Sequence, residues 1–187
     1  MTWEEWQVKW EKCVKCPIGE IAFSHVLGTG PKDAVILYLG EGPGKSEDAL
    51  GKAFIGRAGA LLKQAILQAH GNPDRMYFSN LIACRPTDGP TDQNRKPTDF
   101  EMGNCRDRLK ELVTLLNPQG IVYVGQMARA YAKPTVSGMG WEGGELFIYH
   151  PAALLRRGGT KASDYPKYVA ELHRFFDNFK EISHGGR

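Results

Sequence analysis

Ala34-Val35-Ile36-Leu37-Tyr38-Leu39 followed by Gly40-Glu41-Gly42-Pro43-Gly44-Lys45-Ser46 is the point from which the architecture can be read. Six apolar residues in a row, stopped by glycine, mark a strand buried on both faces, and such strands belong to sheets covered by helices on each side. Downstream, Leu61, Leu62, Ala65, Ile66 and Ala69 have helical spacing from Ala58 onward, and Gly71 and Pro73 stop that helix. Met76–Ile82 reads as a second strand, Gly120–Val124 as a third and Glu145–Tyr149 as a fourth. Thr98-Asp99-Phe100-Glu101 has capping-box form, and Met102, Cys105, Leu109, Leu112, Val113 and Leu116 continue one apolar helical face from it, pointing Cys105 inward. A further helix starts near Gln126, and a last one runs from about Asp164 to Phe179 with Tyr168, Leu172, Phe175, Phe176 and Phe179 inward. Strands alternating with helices require crossover connections. The expected fold is α/β, a three-layer αβα sandwich around a central, mostly parallel four-stranded sheet. It forms one domain over residues 1–187, with 183–187 a loose, disordered tail.

Composition limits the function classes. Hydrophobic residues make up 42% and charged ones 24%, which excludes a disordered or collagen-like chain. The apolar runs fall far short of the ~20 residues of a membrane span, and the N-terminal MTWEEWQVKWEK is too acidic and broken for a signal peptide. The expectation is a soluble, cytoplasmic protein without membrane attachment. A net charge of +3 permits a nucleic-acid partner without requiring one. Trp3, Trp6 and Trp10 fall on one face of a short helix, a core-packing pattern.

In parallel sheets, ligands sit beyond the carboxyl ends of the strands, so the residues after each strand carry the function. The Gly40–Asp48 segment invites a P-loop reading, but the spacing refuses it. That motif needs glycine at position 39, which is Leu39, and its cradle of N–H groups would not hold Glu41. Read instead as a Gly-rich turn, it lets backbone approach a ligand closely, with Glu41 and Glu47 as nearby carboxylates. Phe54, set among glycines in Gly51-Lys52-Ala53-Phe54-Ile55-Gly56, is either a core plug or a stacking platform. Asn80 ends the second strand and His150 follows the fourth. Either serves a site or satisfies local backbone. Leu154-Leu155-Arg156-Arg157, taken as a loop, places apolar residues beside phosphate-binding cations, which suits a wedge into stacked bases.

The cysteines form one close pair, Cys13-Val14-Lys15-Cys16, and two distant singles, Cys84 and Cys105. This is a metal or cluster pattern and not a disulfide framework. Four thiolates suit zinc or iron and sulfur; on the cysteines alone zinc is the expectation, although the second close pair of a zinc ribbon is missing.

Taken together, GEGPGKSEDALGKAFIGRAGALL (40–62), HPAALLR (150–156) and the four cysteines in this order resemble the iron-sulfur class, often called family 4, of the uracil-DNA glycosylase superfamily. The resemblance covers nearly the whole chain. Ala83 stands where that family has a basic residue, and the Cys84 to Cys105 interval is slightly longer than usual. No basic, His-containing insertion follows the first motif, so the resemblance implies turnover and not covalent capture of DNA. It implies a 4Fe-4S cluster on Cys13, Cys16, Cys84 and Cys105, with zinc the lesser alternative. It further implies that Phe54 stacks on a flipped uracil, Asn80 bonds its N3 and O4 edge, Gly42 shapes the pocket floor and His150 bonds O2. His150 would carry catalysis, with Glu41 or Glu47 acting on water or on the cationic sugar. Leu154, four residues after the histidine, would be the wedge, with Leu155 packing inward and Arg156 and Arg157 holding phosphates. The implied activity is hydrolysis of the N-glycosidic bond of uracil in single- or double-stranded DNA by a monomer, in base excision repair. The competing class is a catalytically silent DNA-binding or replication accessory module that keeps the same fold and cluster.

Overall fold

In a computed structural model, residues 1–89 and 91–179 are described. The expected tail, 183–187, lies outside them. Four strands, β1 (Ile36–Gly40), β2 (Tyr77–Asn80), β3 (Gly120–Val124) and β4 (Gly144–Ile148), form one sheet in the order β2-β1-β3-β4. Every pairing is parallel, with Leu37 opposite both Tyr77 and Ile121. The helices are α1 (Trp3–Glu11), α2 (Pro17–Ile21), α3 (Lys45–Leu50), α4 (Arg57–Gln68), α5 (Asp99–Leu116), α6 (Gln126–Ser137), α7 (Pro151–Arg156) and α8 (Tyr165–Phe176).

Strand alternation divides the core into two halves, because successive side chains point to opposite faces. Leu37, Leu39, Ile121 and Tyr123 pack with Trp6, Trp10, Leu109, Leu112, Ala128 and Ala132, from α1, α5 and α6. Ile36, Tyr38, Phe78, Val122 and Val124 pack with Leu62, Ile66, Tyr168, Leu172 and Phe176, from α4 and α8. The three-layer sandwich is therefore present, with the central strands buried on both faces as the apolar run requires. The capping box at the start of α5 forms as expected: Glu101 N–H donates to Thr98 Oγ1 at 3.2 Å and Thr98 N–H to Glu101 Oε2 at 2.8 Å. Trp6 and Trp10 are buried, with Trp3 edge-on to Trp6.

Two segments read as loops are helices. Lys45–Leu50 forms α3 and ends at Gly51, whose φ of 66° supplies the left-handed stop. Pro151–Arg156 forms α7, with Pro151 in the first turn, where its missing N–H costs nothing. The chain leaves β1 toward β2 on one side and reaches β3 on the other. Ligand sites form where connections diverge in this way, at the carboxyl edge of the sheet. Among the described residues no helix is long and apolar enough to cross a membrane.

Candidate functional site

At that edge lies a cleft of about 160 Å³ lined by Gly42, Gly44, Glu47, Phe54, Ala58, Gly59, Asn80, Asn94 and His150. Residues that share no local sequence meet here because the parallel strands β1, β2 and β4 all end at the same edge of the sheet.

Gly40, the last residue of β1, shows how tightly the site is assembled. A Cβ at this position would lie 2.4 Å from Asn80 Oδ1 and 2.7 Å from Phe54 Cζ. The two side chains therefore close over a bare Cα, and glycine is the residue that permits it. Phe54 holds a positive φ of 54° and is 6% exposed. Its ring packs at a tilt on Phe78, with centroids 5.6 Å apart, while it also lines the cleft. The two readings of Phe54 thus coexist, one part of the ring in the core and another bordering the cleft.

The loop carrying Phe54 is held by Glu47. Its Oε1 accepts from the N–H groups of Ile55 at 3.1 Å and Gly56 at 2.7 Å. Oε2 lies toward Gly44, where an added Cβ would come within 2.7 Å of it. Asp48, one residue on, is buried and accepts from the N–H groups of Phe23 and Ser24, tying α3 to the chain after α2. Glu41 is half-buried, and burial raises its carboxyl above the usual range, with Lys96 opposing. Among the described residues it does not line the cleft, which separates the two carboxylates that the sequence left equal.

His150 caps α7. Its Nδ1 accepts from the N–H of Ala152 at 3.2 Å. Burial lowers its pKa, Arg156 lowers it further and Glu47 opposes them, so the imidazole is neutral at neutral pH. With Nδ1 an acceptor, the ring proton resides on Nε2, which leaves His150 a hydrogen-bond donor on its other side.

Asn94 is the lining residue that sequence reasoning missed. It comes from the polar Arg85–Thr98 excursion, which folds back onto the cleft: Asn94 Nδ2 donates to the Pro43 carbonyl at 3.3 Å, and Oδ1 accepts from Arg85 Nε at 2.6 Å. Arg95 anchors the same excursion through a two-pronged pair with Glu101, at 2.9 and 2.7 Å, and a bond to Asp88 at 2.6 Å. The pair holds the Glu101 carboxyl below its usual range. The only sequence signal was the density of Pro, Gly and Asn in a segment too polar for the core.

The wedge assignment needs correction. Leu154 is 1% exposed and belongs to the core half beneath α4 and α8, because helical geometry turns it inward where a loop would not. Leu155 is the partly exposed member of the pair, and Arg156 and Arg157 are exposed. Arg157 pairs with Asp164 at 2.8 Å.

On the other face of the sheet, Cys16, Cys84 and Cys105 are buried and Cys13 is half-buried, in the core half of α1 and α5. Burial, then Cys105, pushes the Cys16 thiol up to about 11. Burial, then Cys105, Cys16 and Cys13, pushes Cys84 higher still. Among the described residues, no group of three or more His, Cys, Asp or Glu side chains is arranged to hold one metal ion.

Residues 27–173 match the family described as the uracil DNA glycosylase superfamily. The chain is 33% identical over 157 residues to a type-4 uracil-DNA glycosylase of Thermotoga maritima, covering 78% of this chain and 79% of the relative. Its counterpart in Archaeoglobus fulgidus is 31% identical over 180 residues, covering 86% and 87%. That of Pyrobaculum aerophilum is 30% identical over 192 residues, covering 91% and 95%. The chain belongs to the uracil-DNA glycosylase superfamily. Membership agrees with the four-stranded parallel sheet and with a cleft at its carboxyl edge, and within the superfamily these three relatives are all of type 4.

Proposed function

We propose that this chain is a uracil-DNA glycosylase that flips uracil out of DNA and hydrolyses its N-glycosidic bond. One observation carries the reading: Phe54, Asn80 and a neutral His150 border one small cleft, supplying a ring face, an amide and an N–H donor to one planar base. A base in a duplex is unreachable, so the nucleotide must rotate out, at a few kcal/mol of unstacking and unpairing. Contacts in the cleft repay that cost. The Asn80 amide reads the N3 and O4 edge, and Gly42 shapes the floor.

Breaking the bond between C1′ and N1 leaves the electron pair on uracil and an oxocarbenium-like sugar. The required help is a donor already in place where negative charge develops. The Nε2–H of His150 fills that role at O2, its tautomer held by the Ala152 N–H. Glu47, whose Oε2 remains beside Gly44, favours the sugar cation and orients water, which adds to C1′ and loses its proton to solvent or to this carboxylate. Glu41 is the weaker candidate, set back from the lining. Leu155 replaces Leu154 as the apolar side chain that fills the vacated stack, flanked by Arg156 and Arg157 on the phosphates.

Cys13, Cys16, Cys84 and Cys105 would hold a 4Fe-4S cluster. Three buried cysteines and a half-buried one in the core half of α1 and α5 are a soft donor set of the kind that holds iron and sulfur, with zinc the lesser alternative. When bound, the group would tie together the segment after α1, the segment after β2 and α5. The test is single-turnover excision from a uracil-containing oligonucleotide by wild type, Asn80→Ala and His150→Ala: wild type cleaves and both variants are slowed, whereas three equal rates would remove the cleft from the reaction.

A further inference from the structure

Arg108 lies on α5 one turn beyond Cys105, and it is fully buried, at 0% exposed. A buried cation ordinarily faces a carboxylate. Arg108 faces none among the described residues. Its Nη1 donates to the Leu27 carbonyl and to Ser79 Oγ, each at 3.3 Å. Its Nη2 donates to the carbonyl of Asn80 and, at 3.1 Å, to that of Leu81. Ser79 Oγ in turn donates to Leu27 at 2.8 Å. Nε has no partner among the described residues.

One feature of this arrangement goes beyond packing. Three of the four acceptors belong to Ser79, Asn80 and Leu81, the end of the strand whose last side chain enters the cleft.

We infer that Arg108 is a positioning residue that fixes the Asn80 and Leu81 carbonyls with its fork. The inference rests on the proposed function for Asn80. Lysine keeps the charge but lacks the planar fork, so this substitution isolates the clamp.

The experiment uses wild type and Arg108→Lys. Arg108→Lys is expected to lose about 100-fold in single-turnover excision, as a misplaced contact group does, with DNA affinity unchanged. Placed on Asn80→Ala, it should cause little further loss, because both changes act on one contact. Wild-type excision by Arg108→Lys, or its full loss repeated on Asn80→Ala, would overturn the inference. Exchange of the Leu81 amide, which donates to the Gly40 carbonyl at 2.9 Å, reads the clamp without the reaction. It should be faster in Arg108→Lys, and an unchanged rate would overturn the clamp. If Arg108→Lys fails to fold, Arg108→Gln takes its place in both measurements. If wild type excises no uracil, the functional reading has failed, and amide exchange still decides the role of Arg108.

Discussion

Gly40→Ala adds one methyl group where Asn80 and Phe54 meet. The new Cβ would stand 2.4 Å from Asn80 Oδ1 and 2.7 Å from Phe54 Cζ. Against the 3.4 Å at which ordinary contact begins, Asn80 must retreat by about 1 Å and Phe54 by about 0.7 Å. Phe54 is packed on Phe78 and the Asn80 backbone is held by Arg108, so the room open to both side chains is the cleft itself, where a shift disturbs the bound base. Overpacking of this kind costs about 1–3 kcal/mol of stability, and in a chain of this size each kcal/mol lowers Tm by about 2–4 °C. The cost to the reaction is larger, because a displacement of about 1 Å in a positioning group loses about 100-fold in rate. The assay is single-turnover excision on a uracil-containing oligonucleotide at 25 °C, where the variant remains folded, with Tm measured alongside. A 100-fold slower rate with a Tm only a few degrees lower is expected. A wild-type rate would refute the claim that Asn80 and Phe54 act from their present positions.

Four further outcomes follow from the same geometry. His150→Ala should slow single-turnover excision by roughly 100- to 1000-fold, the loss expected for a donor at developing charge, while DNA binding measured by anisotropy stays nearly intact. Because burial depresses the His150 pKa, the neutral ring persists below 6.5; a pH–rate profile should stay level through neutrality and fall only on the acid side of 6.5. Leu155→Ala should impair excision from a paired U:A site more than from single-stranded DNA, whereas Leu154→Ala should lose about 2–5 kcal/mol of stability and affect both substrates alike, as read by single-turnover rates and denaturant unfolding. Arg95→Ala should cost about 2 kcal/mol near pH 7. The folded Glu101 carboxyl titrates below its free value of 4.5, so the stability difference is complete above that pH and closes as acid protonates Glu101 in the folded wild type, a trend that Tm against pH will follow.

The layers of the fold were legible because the strands are apolar on both faces. Ile36, Leu37, Tyr38 and Leu39 alternate between the two core halves, and a continuous run is the only pattern that serves both. Thr98 and Glu101 marked the start of α5 through residues that act locally. The helix α7 was hidden because His150 is an unusual cap and the six residues that follow are too few for a periodicity to declare itself. Its signals were Pro151 and the helix-favouring Ala-Ala-Leu-Leu-Arg. Misreading it as a loop turned Leu154 outward. Asn80 and His150 were visible as residues at strand ends, but whether they served a site depended on β1, β2 and β4 all ending at one edge of the sheet, which is long-range information. Asn94 showed only as part of a polar, Pro-rich excursion, and Arg108 was not visible at all. Each matters through backbone carbonyls of distant segments, Pro43 for one and Leu27, Asn80 and Leu81 for the other, and carbonyls carry no sequence signature.

The most direct test incubates the purified chain with an end-labelled oligonucleotide holding one uracil, alongside the same strand holding thymine, and then cleaves abasic sites with alkali. The account predicts a shortened strand from the uracil substrate alone, with intact free uracil released. A folded chain that binds the oligonucleotide yet leaves the uracil strand at full length would contradict it.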